Sequence, residues 1–291
     1  MSKHILFFGF GYCAQFLAPL LAAQGWHISA TCRDEEKAAR LQGLGINALM
    51  LDGAPLSIAA LDGVSHIVLS AAPSDDGDPA LPLLRDALAN NPTQFQWLGY
   101  LSTTGVYGDH EGAWIDEDTP PGPLGARGQR RVAAEAAWEE LTAAHDLPMH
   151  YFRLAGIYGP GRNQLASLKA GTARRIDKAG QVFSRIHVED IATILLAAMA
   201  KPRAGRAYSV CDDEAAPPQD VVAFAAALMG REPPPLIAFE DADLSPMAKS
   251  FYGENKRIKN NRIKQELRVT LKYPSYREGL RALFELSLIH I

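Results

Sequence analysis

The stretch HILFFGFGYCAQFLAPLLAAQGWHISATCR, residues 4–33, carries the pattern from which the fold of this chain is predicted. Residues 4–8 form an apolar run that is too short for a helix and is typical of a buried parallel strand. Gly9 and Gly11 interrupt the run, and apolar residues then recur at helical spacing until Gly25, a typical helix terminator. Residues 26–33 are predicted to form a second strand. The stretch therefore predicts a strand, a glycine turn, a helix and another strand.

In this order of elements, the two glycines predict a phosphate-binding turn. Gly9 allows a tight turn, and Gly11 lacks a Cβ, so that a pyrophosphate can approach the backbone. The N-terminus of the following helix adds N–H donors and the positive end of the helix dipole. Ala14 stands where a third glycine would lie and still permits close packing of helix and strand. The alternative is an ordinary strand–helix turn, but the flanking elements favour a dinucleotide site. The predicted turn residues are Gly9, Phe10, Gly11, Tyr12 and Cys13.

The end of the second predicted strand is the position that selects between NAD and NADP. An acid there bonds the ribose 2′-hydroxyl of NAD, whereas an arginine accommodates the 2′-phosphate of NADP. Arg33 therefore favours NADP. NAD stays open as the alternative because residues 34–36 are all acidic and follow directly. These acids also suit the start of the next helix.

Further strands are predicted for residues 46–51, 67–69 and 95–101, and a helix for residues 81–88. Polar or small residues follow two of these strands, where a cofactor can lie against the backbone: Asp52, Ala71, Ala72 and Pro73. The alternation of elements predicts an α/β fold with a doubly wound parallel sheet of the Rossmann type and a smaller C-terminal substrate lobe. We expect the dinucleotide-binding domain at residues 1–155 and the lobe at 156–291, with about 182–211 returning to the sheet domain.

Composition and charge indicate which kinds of partner the chain is expected to bind. The chain has 291 residues, is 47% hydrophobic and 21% charged, and carries a formal net charge of -4. Nucleic acid and membrane partners are not expected, because there is no global basic field and no apolar run long enough to cross a bilayer. The three cysteines have neither zinc nor disulfide spacing, and no signal peptide is evident. We expect reduced thiols, no metal site, a cytoplasmic location and a small-molecule substrate. The choice between a monomer and a homodimer is open.

Several motifs carry a resemblance to a known family. Residues 102–108 read STTGVYG, Arg153 precedes the YGPG turn at 158–161, residues 187–190 read HVED, and residues 273–279 read YPSYREG. In this order they resemble the extended short-chain dehydrogenases/reductases, the NAD-dependent epimerase/dehydratase family. The resemblance covers nearly the whole chain. It implies an NAD(P)-dependent oxidoreductase or isomerase acting on a small polar substrate of the nucleotide-sugar kind.

The resemblance fails at the family's catalytic pair. Family members carry a tyrosine and, four residues later, a lysine on the helix after the fifth strand. Aligned on Glu135, this chain has Arg127 at the tyrosine position and Arg131 at the lysine position. Arginine stays protonated, so Arg127 cannot shuttle protons, whereas Arg131 can still bond ribose hydroxyls. The chain thus resembles the atypical subgroup that lacks the pair. The other interpretation is a solvated basic helix whose buried side is Ala133, Ala137 and Leu141.

Other side chains could then supply acid–base chemistry. Thr103 stands at the family's catalytic Ser/Thr position, where it would also lie beside the cofactor. Tyr107 and His110 follow on the same loop, and a tyrosine of lowered pKa or a histidine suits proton transfer. We assign Thr103 and Tyr107 as catalytic candidates, although the resemblance implies a structural tyrosine. The missing pair leaves open a second function, that of a non-catalytic NAD(P)-binding sensor or scaffold protein.

Two charged segments remain. The basic run KRIKNNRIKQELR, residues 256–268, is either a solvated face or a patch at the substrate mouth whose arginines hold a phosphate or carboxylate. The loop EGAWIDEDTPPGP, residues 111–123, is expected to cover the active-site cleft.

Overall fold

The computed structural model describes residues 3–289. Its strands are β1 (His4–Phe8), β2 (His27–Cys32), β3 (Asn47–Met50), β4 (His66–Leu69), β5 (Trp97–Thr103), β6 (Trp114–Ile115), β7 (Met149–Leu154), β8 (Gly156–Tyr158), β9 (Arg175–Asp177), β10 (Arg185–His187), β11 (Arg206–Val210), β12 (Leu236–Ala238) and β13 (Arg257–Ile258). Its helices are α1 (Tyr12–Ala23), α2 (Glu35–Gly43), α3 (Leu81–Asn90), α4 (Ala126–His145), α5 (Gln164–Lys169), α6 (Val188–Ala200), α7 (Pro218–Leu228), α8 (Pro246–Tyr252), α9 (Asn261–Glu266) and α10 (Tyr276–Ile289). None of these described helices is long and apolar enough to cross a lipid bilayer.

A seven-stranded sheet in the order β11-β7-β5-β4-β1-β2-β3 forms the centre of the fold. The strand β1 lies between β2 and β4 and runs parallel to both, and β2–β3 and β4–β5 are parallel as well. All residues of β4 and all but the first of β1 are buried, as expected for strands covered on both faces. The strand order reverses between β1 and β4, and a crevice for ligands forms outside the carboxyl ends of the strands at such a reversal.

The predicted fold class is confirmed. The strand β1 has the predicted bounds, β2 is one residue shorter at each end, and β5 begins and ends two residues later than predicted. Such end shifts arise because a strand extends only as far as its neighbours offer hydrogen-bond partners, which the local sequence does not show.

The chain divides into two compact units. Unit 1 comprises Met1–Thr103, Gln129–Arg153 and Ala192–Tyr208, and unit 2 comprises Thr104–Gly128, Leu154–Ile191 and Ser209–Ile291. The division differs from the predicted boundaries in two respects. Residues 104–128 belong to unit 2, and the later segment that returns to unit 1 is 192–208 instead of 182–211. The two units are also of nearly equal length, in part because residues 104–128, which include the start of α4, belong to unit 2.

Unit 1 has its core between the sheet and the helices α3 and α4. Leu6, Ile67 and Leu98, from adjacent strands, are fully buried in one cluster with Leu84 of α3 and Trp138 of α4. The parallel strands expose no polar face, so helices must cover the sheet. This core fixes the carboxyl ends of β1, β4 and β5 relative to one another.

Unit 2 contains three short parallel strand pairs, β8–β10, β9–β12 and β6–β13. One of its hydrophobic clusters joins α5, α7 and α10 around the buried rings of Tyr158 and Tyr276. The buried carboxylate of Asp190, at the start of α6, accepts hydrogen bonds from the N–H groups of Lys272 (2.7 Å) and Tyr273 (3.0 Å). The HVED and YPSYREG motifs are therefore joined by a structural contact inside unit 2.

Candidate active site

The glycine turn after β1 is held by bonds to the two neighbouring strands. The N–H of Gly9 donates to Thr31 Oγ1 of β2 at 2.9 Å, and Ser70 Oγ, just after β4, donates to the Gly9 carbonyl at 2.7 Å. Gly9 has a φ of +87°, which L side chains rarely adopt, and a Cβ there would lie 3.1 Å from Ser70 Oγ. Glycine at this position therefore allows the turn to sit at the reversal of strand order.

Gly11 leaves open space at the N-terminus of α1. It is the N-cap residue, has an extended backbone (φ −100°, ψ −160°), and no side chain caps the helix there. A Cβ built on Gly11 would meet no atom within 4 Å. Helix N-termini combine N–H donors with a positive dipole end, so the exposed backbone of Gly11 marks a place where an anionic group can approach.

The other predicted turn residues differ in their exposure. The rings of Phe10 and Phe7 pack edge to face at 5.6 Å, and Phe10 and Cys13 are buried. Tyr12 is half-buried, with its ring edge-on to Phe16 at 5.3 Å. Their side chains fix the turn by packing, which leaves the backbone as the part of Phe10 and Cys13 able to meet a ligand.

Arg33 and Asp34 follow β2 and differ in their contacts. Arg33 is exposed, whereas the carboxylate of Asp34 accepts a hydrogen bond from the N–H of Lys37 at 2.7 Å and caps α2. The nearest acid to Arg33 in the sequence is thus engaged in helix capping, the ordinary role expected for it.

The residues predicted after β3 and β4 lie at the same edge of the sheet. Asp52 is exposed, and its carboxylate accepts from the N–H of Ala54 at 2.9 Å. Ala71 and Pro73 are half-buried and Ala72 is exposed. These small side chains leave the backbone after β4 accessible beside the glycine turn, since Ser70 bonds directly to Gly9.

Arg131 of α4 contacts the end of β5. Its Nη1 donates to the Tyr100 hydroxyl at 3.1 Å and to the Leu101 carbonyl at 3.0 Å, and the guanidinium lies 5.4 Å from the centroid of the Tyr100 ring. Arg131 is half-buried, so it does not belong to a solvated face. Its Nη1 bonds engage two of the five N–H donors of a guanidinium.

Of the three residues expected on the buried side of a solvated basic helix, only Leu141 is buried in α4. Ala134, Trp138 and Leu141 are buried, while Ala133 is exposed and Ala137 is only half-buried. Arg127 is exposed, and its guanidinium lies 5.3 Å from the ring centroid of Phe251 within unit 2. Thr103, the catalytic candidate, is half-buried at the last position of β5.

A buried ion pair that the sequence does not predict supports this part of unit 1. Arg153 of β7 donates from Nη2 to Glu135 Oε2 at 2.8 Å and from Nε to Oε1 at 3.3 Å. Ser102 donates to the same carboxylate, and all three residues are buried. Glu135 and Arg153 are visible in the sequence as motif residues, but nothing local shows that they pair. The network joins α4, β5 and β7 directly before Thr103.

Tyr107 and His110 lie in unit 2, in surroundings typical of structural residues. Tyr107 is 1% exposed, and its hydroxyl lies 3.0 Å from Ser209 Oγ. His110 Nε2 lies 3.1 Å from the Tyr107 carbonyl. An acid–base group must reach substrate, so this burial favours the structural role that the resemblance implied for Tyr107, and we give it no part in the proposed function.

The basic run does not form an open arginine clamp. Four of its six cations pair within unit 2 with acids of the loop 111–123 and of two other segments: Lys256–Glu254 (2.5 Å), Lys259–Asp116 (3.6 Å), Arg262–Asp118 (2.6 Å), Arg262–Glu117 (3.7 Å) and Lys264–Asp213. Arg257 instead donates from Nη1 to the Gly112 carbonyl. The strands β6 and β13 join the same two segments. Acids of unit 2 therefore pair with four cations of the run, which argues against the interpretation of the run as a free anion-binding patch.

The predicted cofactor-binding residues all lie in unit 1. Within residues 3–289, no three His, Cys, Asp or Glu side chains are arranged to hold a metal ion. A parallel sheet whose order reverses beside a glycine turn and an uncapped helix N-terminus defines a dinucleotide-binding protein of the Rossmann type. More narrowly, the chain belongs to the NAD-dependent epimerase/dehydratase family, whose model matches residues 9–211.

Three known proteins are similar to this chain along nearly its whole length. Protein YeeZ of Escherichia coli K12 is 30% identical over 292 residues, which cover 94% of this chain and 97% of the relative. A solved protein of Silicibacter pomeroyi, described as a functionally unknown conserved protein, is 53% identical with a TM-score of 0.91, covering 98% of this chain and 99% of its own. The dTDP-glucose 4,6-dehydratase of Bacillus anthracis, solved with NAD, is 17% identical with a TM-score of 0.79 over 99% and 97% of the two chains, and shares the fold.

Proposed function

We propose that the chain binds NAD(P) in unit 1 and is an NAD(P)-dependent oxidoreductase or isomerase acting on a small polar substrate. The observation that carries the proposal is the open backbone of Gly11 at the N-terminus of α1. It lies next to the turn that Thr31 and Ser70 fix at the reversal of strand order. A pyrophosphate is the ligand that this combination fits.

The residues of unit 1 fit the remaining parts of a dinucleotide. Arg33 would lie beside the adenosine ribose, and Ala71–Pro73 would allow the cofactor to lie against the backbone after β4. The nicotinamide, when bound, accepts or donates a hydride. The hydroxyl of Thr103 would hydrogen-bond a substrate oxygen, and Arg131 would bond ribose hydroxyls. The structural likeness to the dTDP-glucose 4,6-dehydratase solved with NAD supports a nicotinamide cofactor and a nucleotide-sugar-like substrate.

The direct test is a nicotinamide-fluorescence titration of the full chain with NADH and with NADPH. We expect saturable one-site binding of at least one of them and, in a separate assay with the oxidised cofactor, hydride transfer from a candidate nucleotide sugar. Lack of saturable binding of either dinucleotide by a folded protein would contradict the proposal.

The non-catalytic alternative rests on Arg127 and Arg131, because arginine cannot replace the family's proton-moving tyrosine. The two functions differ in turnover. An oxidoreductase changes the nicotinamide absorbance with some nucleotide sugar, whereas an isomerase returns the hydride and is detected by conversion of the sugar. A Thr103→Ala variant loses either activity while it still binds the cofactor. A sensor binds the cofactor with the same affinity but shows no turnover with any of the sugars.

Cofactor choice is expected to depend on Arg33. Its exposed guanidinium can form charge-assisted hydrogen bonds with a 2′-phosphate, which NAD lacks. The structure supports this choice because the Asp34 carboxylate is engaged with the Lys37 N–H. We expect Arg33→Ala to weaken NADPH binding about tenfold, or ~1.4 kcal/mol, and to leave NADH binding nearly unchanged. Parallel titrations of the wild-type chain and the variant measure the ratio of the NADPH affinity to the NADH affinity. Equal losses for both cofactors would contradict the NADP preference but not the proposed cofactor site.

Arg131→Ala is expected to weaken both cofactors. The lost hydrogen bonds to ribose involve a charged donor, so the expected decrease in binding free energy is about 1.5–3 kcal/mol or less. Calorimetry with NADH and NADPH measures it, with Arg85→Ala on the exposed surface of α3 as the control arginine. If affinity stays at the wild-type value while the unfolding midpoint drops, Arg131 only fastens the end of β5 through Tyr100 and Leu101.

A further inference from the structure

A concave region apart from the proposed dinucleotide site lies on unit 1, between α1 and α2. It is a groove of about 640 Å³. Phe10, Ile28, Leu41 and Ile46 line it, and all four are less than 10% exposed, so its deepest part is apolar. The volume and the mostly apolar lining are typical of a small-molecule site.

The groove follows the two helices. The helix α1 contributes Gln15 and Ala22, and Lys37 of α2 and Leu44, the C-cap residue of α2, line the other side. Each pair is seven residues apart, which places both members on one helical face and about 10 Å apart along the axis. Small side chains on α1, those of Ala18 and Ala22, provide the space.

The lining is polar at one end only. Lys37 lies near the start of α2, and Arg40 lies in its last turn with its guanidinium 4.0 Å from Glu36 of the first turn. The lining contains no acidic residue. Towards the other end lie Ala22, Leu44 and Ile46, and Leu44 is 69% exposed. The groove therefore combines a cationic end with an apolar end.

Arg40 is not neutralised by a strong partner. Its guanidinium lies 4.0 Å from Glu36, and both side chains are largely exposed. Exposed pairs of this kind contribute at most about 1 kcal/mol, so an anionic ligand can compete for Arg40.

We propose that the groove binds a medium-chain fatty-acid carboxylate. Lys37 and Arg40 would hold its carboxylate, and its alkyl chain would lie along Ala18 and Ala22 towards Leu44. Burial of the chain against the apolar floor supplies the affinity, and the two cations set the direction of binding. Phe10 belongs both to this lining and to the glycine turn, but the proposed dinucleotide site uses only its backbone, so the proposed fatty-acid site does not depend on the dinucleotide function.

The test is isothermal titration calorimetry of the full chain with decanoate, below its micelle concentration, and with uncharged decanamide. We expect one saturable site for decanoate and at least tenfold weaker binding of decanamide. Ala22 and Ala23 are both exposed, but only Ala22 lines the groove. Ala22→Trp should place its indole across the groove and abolish binding, whereas Ala23→Trp should leave binding intact. Lys37→Gln combined with Arg40→Gln should weaken decanoate at least tenfold and leave decanamide unchanged.

Three results would overturn the proposal. The first is wild-type decanoate affinity in folded Ala22→Trp. The second is equal affinity of the wild-type chain for decanoate and decanamide. The third is a wild-type dimer on size-exclusion chromatography that Ala22→Trp converts to a monomer, because a second copy of the chain would then cover the groove. NADPH titration of Ala22→Trp serves as the fold control and is expected to match that of the wild-type chain.

Discussion

Gly11→Val is expected to lose about 100-fold or more in affinity for both NADH and NADPH, a change of ~2.7 kcal/mol, while the protein stays folded. The added side chain would occupy the open space over the N-terminus of α1, where a pyrophosphate would meet the backbone. The fold should persist because Gly11 has an ordinary extended backbone and no atom lies within 4 Å of an added Cβ. Fluorescence titration measures the affinity, and circular dichroism with thermal unfolding checks the fold.

Gly43→Val is the matched control for this variant. Gly43 also has no atom within 4 Å of an added Cβ and lacks a positive φ, but it lies at the end of α2. We expect the control to bind both cofactors like the wild-type chain. Unchanged cofactor affinity in folded Gly11→Val would remove the dinucleotide assignment from this turn.

Glu135→Ala is expected to lower the free energy of unfolding by about 3–5 kcal/mol. The substitution removes the carboxylate that accepts from Arg153 and Ser102 and leaves a buried guanidinium without its partner. An unpaired buried charge is far more costly than the net contribution of the intact pair. Urea unfolding followed by tryptophan fluorescence measures the loss, and Trp138 on the same helix is fully buried.

Two further variants separate the charge from the packing. Glu139→Ala changes an exposed glutamate one turn further along α4 and should alter stability by no more than about 0.5 kcal/mol. The double variant Glu135→Leu with Arg153→Met should recover most of the loss, because it buries no unpaired charge. A loss below about 1 kcal/mol in Glu135→Ala would show that water reaches Arg153 and that the network is not sealed.

The main features of the fold can be predicted from local patterns. The apolar run at residues 4–8, the glycines and the helical spacing before Gly25 each describe one element, and the element order then fixes a parallel sheet. The strand ends and the unit boundaries cannot be predicted this way. Residues 104–128 belong to unit 2 although they directly follow a strand of the sheet in the chain.

The side-chain contacts of the candidate site can likewise be predicted from local sequence only in part. Gly9 is predictable because its conformational requirement is a property of the residue itself, here a φ of +87°. Tyr107 lies on a motif loop, but its partner Ser209 is more than a hundred residues away in the chain. Lys259 of the basic run pairs with Asp116, which lies more than a hundred residues earlier in the chain. Neither outcome follows from residue type or spacing.

The strand–turn–helix unit, the dinucleotide-binding class of fold and the family are predictable from local patterns, because each depends on the conformational preferences and order of neighbouring residues. Three contacts are visible only in the folded chain: Arg131 bonds to the end of β5, Glu135 pairs with Arg153, and four cations of the basic run pair with acids of unit 2. Hydrogen bonds, ion pairs and burial depend on distances between elements far apart in the chain, and those distances exist only after the sheet and its helices have packed.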